Sequence, residues 1–306
     1  MFAAYFLPFA LALPGPTVMA QDQDSMPPVV STRWLAEHLR DPDLVILHVG
    51  DDRSRPTYDA GHIPGARFLH PWNELAAPRQ EGALNLELPV GERLQASLEA
   101  KGISNSSRVV VYSADQYFTP TTRSLLTLEY AGLRGRVAIL DGGLEAWRAE
   151  NRPVTTEIPT VRPGSFALRT LDGLVVSAPF VAANLENPKV AVIDARAPQF
   201  YQGAETRQGR NGHIQGARNI PFTSIVTEDG HFKDVATLRR MFQEAGAETG
   251  DRVVTYCHIG QQASLVWFAA RLAGYDAALY DGSFQDWARR TDLPVVTPSP
   301  PPGLVR

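Results

Sequence analysis

The chain repeats itself, and the repeat sets its architecture. His62-Ile63-Pro64-Gly65-Ala66-Arg67 returns as His213-Ile214-Gln215-Gly216-Ala217-Arg218. Arg108-Val109-Val110-Val111-Tyr112 returns as Arg252-Val253-Val254-Thr255-Tyr256. Asp141-Gly142-Gly143 with Trp147 returns as Asp281-Gly282-Ser283 with Trp287. Three matches in one order, at similar spacing, are not chance. The period is far too long for a solenoid of small stacked units. It predicts two homologous domains in tandem, which suits a chain of 306 residues.

Each half alternates short apolar runs with helical patterns. In the second half the pattern predicts a helix over 177–185 capped by Ser177, a strand over 190–194 and a helix over 235–245. A strand over 253–256, a helix over 263–272, a strand over 277–280 and a helix over 284–290 follow. The first half has matching strands over 45–49, 109–112 and 137–140. Buried runs between helices indicate an α/β fold, each domain a parallel sheet with helices on both faces. The expected domains are 29–152 and 171–297. Residues 153–170 read as a linker, most clearly the proline- and threonine-rich stretch 153–163. The tail 298–302 is proline-rich and expected to be extended.

Residues 1–20 differ from the rest. They hold no charged side chain, carry an apolar run from Phe2 to Leu13, and end in Val18-Met19-Ala20 before polar Gln21-Asp22-Gln23-Asp24. This is the pattern of a secretory signal peptide, although its start lacks Lys and Arg. The expectation is a periplasmic or secreted protein, or a cytoplasmic one if the start is misassigned. No later stretch is long and apolar enough to span a bilayer. A formal net charge of -4 argues against a general nucleic-acid binder. The sequence is compatible with a monomer and does not fix the oligomeric state.

The differences between the halves carry the chemistry. The chain has one cysteine, Cys257, at the carboxyl end of a predicted strand, with Ser113 in the matching position of the first half. Alone, it can neither form an internal disulfide nor anchor a multi-cysteine zinc site. The loop after it, His258-Ile259-Gly260-Gln261-Gln262, has a glycine and no acid, whereas the matching first-half loop is bulkier and carries Asp115. Successive backbone amides over such a loop form an anion-binding nest, and the following helix adds its positive end. Both are expected to lower the thiol pKa. Between residues 195 and 218 stand Arg196, Arg207, Arg210 and Arg218 against a single acid, Glu205, which suits a small anionic substrate. A free cysteine is often plain core. His62, His213, Trp147 and Trp287 recur in both halves and read as scaffold, and Arg218, matched by Arg67, reads as a scaffold salt-bridge residue.

The doubled motifs resemble the two-domain rhodanese family of sulfurtransferases over about residues 29–297. Gly61 and Gly212 precede the motif histidines, as the family's His-Ile-x-Gly-Ala element requires, and both Asp-Gly-[Gly/Ser]-x3-Trp elements are present. The resemblance implies two rhodanese-like domains, with a non-catalytic first one. It makes Cys257 the nucleophile that takes sulfur from a donor as a persulfide, with no metal and no cofactor. Matched by motif, Arg196 is the arginine expected to bind the donor's anionic group. Arg207 or Arg210 is expected to share that role, with His258, Gly260, Gln261 and Gln262 forming the loop around the sulfur. The loop reads Cys-His-Ile-Gly-Gln-Gln, matching neither the thiosulfate nor the mercaptopyruvate pattern of the family. A partly charged His258 and two glutamine amides favour thiosulfate as donor and a thiol or cyanide as acceptor. The alternatives are 3-mercaptopyruvate as donor, or a persulfide carrier and anion-binding module without turnover. A phosphatase needs an arginine fork at the loop's end. Gln262 and Ala263 stand there, and the next arginine is Arg271, well inside the helix.

Overall fold

The computed structural model describes residues 25–89, 91–114 and 118–297. The expected signal peptide, the tail and residues 115–117 of the first-half loop lie outside the described residues. In the first half, β1 (Val29–Val30), β2 (Leu44–Val49), β3 (Arg67–Leu69), β4 (Arg108–Tyr112) and β5 (Val137–Leu140) form a parallel sheet in the order β1-β5-β4-β2-β3. The second half has β6 (Val175–Val176), β7 (Val190–Asp194), β8 (His213–Ile214), β9 (Arg218–Asn219), β10 (Arg252–Tyr256), β11 (Asp276–Tyr280) and β12 (Val295–Val296). Its parallel sheet runs β6-β11-β10-β7-β9, the same order position for position. The α/β tandem read from the repeat is therefore correct. The central strands β4 and β10 are buried from their second residue onward, which is why their sequences show apolar runs without alternation.

The repeated motifs do the same work twice. The Tyr112 hydroxyl accepts the Ile63 amide at 3.2 Å, and Tyr256 accepts Ile214 at 3.1 Å. His62 stacks on Tyr58 at 3.9 Å between ring centres, and His213 on Tyr201 at 3.8 Å. The Trp147 indole donates to the Pro153 carbonyl, and Trp287 to that of Pro294. These are scaffold contacts. Arg218, expected as a scaffold salt-bridge residue, is exposed and makes no ion pair among the described residues, and its counterpart Arg67 donates to the Lys101 carbonyl. Three helices depart from their expected bounds by two residues or more at one end. Gln261–Leu272 starts two residues early, because Gly260 at φ +84 completes the turn before it. Ala178–Ala183 and Ser283–Trp287 are shorter than expected, and Ser177 caps its helix without a side-chain hydrogen bond.

The two domains share one apolar cluster, to which helices Phe118–Leu128 and Gln261–Leu272 both contribute. Polar contacts cross the same interface. Thr122 and Ser264 hydroxyls meet at 2.8 Å. Each Asp of the repeated Asp-Gly-x element reaches into the other domain. Asp141 pairs with His231 at 2.8 Å. Asp281 pairs with Arg123 at 2.6 Å and accepts the Leu88 amide at 2.8 Å. Arg123 also donates to the Leu86 carbonyl at 2.6 Å. Both Arg123 and Asp281 are buried. Replacing Arg123 by Leu leaves a buried carboxylate without its cation, so unfolding free energy should fall by about 3–5 kcal/mol in urea titration. A loss under about 1 kcal/mol would show that the pair does not hold the domains together.

Candidate active site

Strand β10 delivers Cys257 at its carboxyl end, and helix Ser283–Trp287 fixes the backbone there. The Phe284 amide donates to the Cys257 carbonyl at 2.9 Å, and the Gln285 amide to His258 at 3.1 Å. The Cys257 amide donates to the Ser283 hydroxyl at 3.2 Å, which in turn donates to the Tyr280 carbonyl at 2.9 Å. Ser283 adopts φ +52, a left-handed conformation that costs a non-glycine residue of order 1 kcal/mol or more. Its counterpart, Gly143, lies at φ +57, where a Cβ would meet the Ser113 carbonyl at 2.6 Å. The half with the thiol thus accepts strain where the other half uses glycine, and gains a hydroxyl against the Cys257 amide. Sequence reading passed over Ser283, although the Gly-to-Ser change in the repeated element was its signal.

The Cys257 side chain is fully buried. Burial is the largest influence on its thiol pKa, and the backbone amides of Ala263, Ile259, Gly260 and Gln262 act in the opposite direction, lowering it. Burial outweighs them, and the thiol is pushed above its ordinary value. The expected nest is present, but the expected net lowering is not. A thiol without charge gains little from amides, whereas a thiolate or terminal persulfide anion gains from all four. Gly260 is required here twice over. Its φ of +84 disfavours any side chain, and a Cβ would stand 3.0 Å from Arg123 Nη1 and 3.1 Å from the Asp281 carbonyl.

His258 sits in a second cluster. Its ring meets Phe200 edge-on at 4.6 Å, and its Nδ1 lies 3.1 Å from Gln208 Oε1. Burial, then Arg196 and Arg207, hold its pKa down to about 3. The partial positive charge expected of His258 is therefore absent at neutral pH, and a neutral ring donates to Gln208. Arg207 lies over Phe200 at 5.0 Å, on the same cluster. Arg210 instead donates to the carbonyls of Arg290 and Leu293, both at 3.0 Å from Nη1. Of the two candidate arginines, the structure brings Arg207 to the loop and commits Arg210 to holding the chain's return. Arg196 is 2% exposed. It is forked onto Asp194 through Nε and Nη2 and donates to the Gly212 carbonyl at 2.7 Å. Its guanidinium lies 4.0 Å from the Phe284 ring centre. In this geometry Arg196 positions the floor of the site beside Cys257 and presents no open face to a ligand. Gln261 Nε2 donates to Thr119 Oγ1 of the first domain at 3.3 Å, so that domain reaches the loop. The Oε1 atoms of Gln261 and Gln262 are buried without a partner among the described residues.

Because Cys257 is the only cysteine, its ultraviolet thiolate absorbance can be assigned by difference from Cys257→Ser. The raised pKa means a thiol at neutral pH, with absorbance still rising beyond the range where an ordinary free thiol levels off. A plateau at or below neutrality would show that the amides win over burial. Gly260→Ala should cut activity at least about tenfold by straining the loop that carries the amides, measured as kcat with the fold checked by circular dichroism.

The comparisons agree with the tandem fold. The family model described as a rhodanese-like domain matches residues 31–150 and again 177–290. A sulfur carrier protein, TtuD, of Thermus thermophilus is 32% identical over 87% of the chain and 95% of its own length. A probable 3-mercaptopyruvate sulfurtransferase of Pseudomonas aeruginosa is 34% identical over 88% of the chain and 98% of its own length. A thiosulfate sulfurtransferase of Rattus norvegicus is 31% identical over 86% of the chain and 92% of its own length. Among solved structures, YnjE superposes with a TM-score of 0.79 at 21% identity, covering 89% of this chain and 69% of that one, a likeness of fold. The chain belongs to the rhodanese-like family, with the domain present twice.

Proposed function

We propose that this rhodanese-like chain is a sulfurtransferase that moves a sulfane sulfur from thiosulfate to a thiophilic acceptor through a Cys257 persulfide. The observation that carries the reading is a buried free thiol at the head of a loop whose four backbone amides favour its anion. The Cys257 thiol gives its proton to water, and the thiolate so formed attacks the outer sulfur of thiosulfate. A sulfur–sulfur bond forms to Cys257, the bond to the inner sulfur breaks, and sulfite leaves with the electron pair. The negative charge passes from Sγ to the terminal sulfur, within the field of the same loop. Cyanide or a thiolate then attacks that terminal sulfur, and Cys257 leaves as thiolate. Fixed amides suit this cycle because they stabilise the anion at each stage without rearranging. With His258 neutral, Arg207 is the cation that meets the donor's sulfonate, assisted by the Gln262 amide. The likeness to a probable 3-mercaptopyruvate sulfurtransferase keeps that donor as the second reading.

Steady-state assays with thiosulfate and cyanide should yield thiocyanate, and Cys257→Ser should yield none while keeping the fold. Mercaptopyruvate turned over faster than thiosulfate by the same preparation would replace the donor named here. Persulfide formation without turnover would instead favour a carrier, the role printed for the Thermus relative. Arg207→Ala should raise the thiosulfate KM about tenfold, the worth of one charge-assisted contact, with little change in unfolding midpoint. Arg196→Ala should behave differently and lose about 3 kcal/mol or more of stability, because Asp194 is then buried without its partner. Equal effects of the two variants on KM and on stability would contradict this division of labour. Export is proposed on the composition of residues 1–20, and N-terminal sequencing of the mature protein should begin at Gln21.

A further inference from the structure

The segment 203–212 carries Arg207 and folds mostly onto itself. Thr206 Oγ1 donates to the Arg210 carbonyl at 2.9 Å, and Asn211 Nδ2 to the Gly203 carbonyl at 3.0 Å. Gly209, at φ +80, makes the turn between Gln208 and Arg210. Residues 204–207 are exposed, whereas Gln208 turns inward and is half-buried. Its Oε1 accepts the His258 Nδ1 proton at 3.1 Å. Among the described residues, no other side-chain hydrogen bond joins this segment to the loop 257–262.

Gln208 and Arg207 hold one pair of rings from two sides. His258 meets Phe200 edge-on at 4.6 Å, and Arg207 lies over Phe200 at 5.0 Å. Arg207, Phe200, His258 and Gln208 therefore close a circuit, joined at one point by the peptide bond between 207 and 208. The hydrogen bond also fixes a proton. A neutral imidazole carries one N–H, and a carboxamide oxygen at Nδ1 keeps it there, leaving Nε2 with its lone pair. The charged groups facing the ring are Arg207 and, from the end of β7, Arg196 with its partner Asp194. No carboxylate among the described residues pairs with His258. Burial, then the two cations, leave an imidazolium unsupported there. The field of Arg196 reaches both this ring and the Cys257 sulfur, so ring and sulfur share one electrostatic neighbourhood. A glutamate at 208 would have the same reach and the opposite effect, because a carboxylate at that distance favours the charged ring.

We propose that Gln208 is a positioning residue of the donor site: its carboxamide holds His258 as the uncharged Nδ1–H form and seats the neighbouring Arg207 against the catalytic loop. The inference rests on the persulfide reading of Cys257 and on Arg207 as the cation that meets the donor. An anionic donor then meets one cation in a set place, and the residue after the nucleophile adds no charge that comes and goes with pH. Gln208 itself touches neither donor nor sulfur and acts through its two neighbours.

Ring-labelled histidine reads the first half of this role by nuclear magnetic resonance. The signal missing from His258→Asn identifies His258 among the seven histidines. Wild type should keep the uncharged Nδ1–H pattern from about pH 5 to 8. Gln208→Glu should bring a titration of this ring into about pH 4–6, above the wild-type value of about 3. Identical titration in the two proteins would overturn the proposal. Single-turnover sulfite release against thiosulfate concentration reads the second half. Gln208→Met keeps the volume and removes the acceptor. It should raise half-saturating thiosulfate about fivefold, the worth of one hydrogen bond, with limiting rate and melting temperature near wild type. In an Arg207→Ala background the same change should add nothing, because Gln208 acts through Arg207. Effects that multiply independently would overturn the proposal, as would a Gln208→Met that loses stability and limiting rate with half-saturation unchanged. No sulfite from wild type would sink sulfur transfer itself, and the role of Gln208 with it.

Discussion

Arg123 crosses from the first domain and ends between the Leu86 carbonyl and the Asp281 carboxylate, and the site is assembled around that contact. Asp281 opens the Asp-Gly-Ser element whose Ser283 and Phe284 hold both backbone polar groups of Cys257. The same guanidinium would stand 3.0 Å from a Cβ on Gly260, so it also limits what the catalytic loop can contain. Two non-glycine residues with left-handed backbone, Leu86 and Ser283, flank the pair. Strain of that kind persists where surrounding structure over-determines it. A buried ion pair adds little net stability by itself, but it specifies geometry, because removing either partner leaves an uncompensated charge. Here the geometry it specifies is the position of a sulfur atom.

The two halves show what a shared scaffold permits. In the second, Arg196 donates to the Gly212 carbonyl; in the first, Arg148 from a different element donates to the matching Gly61 carbonyl at 2.9 Å. The turn before each His-Ile motif is thus held by a guanidinium in both domains. The second half brings that cation from the end of β7, next to Cys257, together with Asp194. The first half has His48 at the Asp194 position, fully buried and held by burial to a pKa of about 3. With Ser113 in place of the thiol, it retains the frame without the nucleophile. Its remaining contribution lies at the interface, through Arg123 and Thr119.

The fold was legible because its signals were local and doubled. Apolar runs at β4 and β10, the tyrosines that end them, and the histidine and tryptophan anchors each made a prediction that its twin could check. Cys257 and its glycine-containing loop were legible for the opposite reason, as a difference between matched positions. What escaped was tertiary. Whether Arg207 or Arg210 meets the loop depends on where the chain near Leu293 returns, and sequence spacing does not carry that. The charge of His258 and the pKa of Cys257 depend on burial, which for Cys257 outweighs the loop amides and for His258 acts together with Arg196 and Arg207. Arg196 was legible as a motif residue but not as one spent on Asp194.

The resting site therefore holds a contradiction that only an arriving sulfur resolves: a thiol kept neutral by burial inside a ring of amides suited to an anion. Intact-mass measurement of the purified protein after brief exposure to thiosulfate tests this most directly. The account predicts a gain of one sulfur atom, confined to the peptide containing Cys257, absent in Cys257→Ser and removed by cyanide. Protein that gains no sulfur, or that gains it equally without the thiol of Cys257, would contradict it.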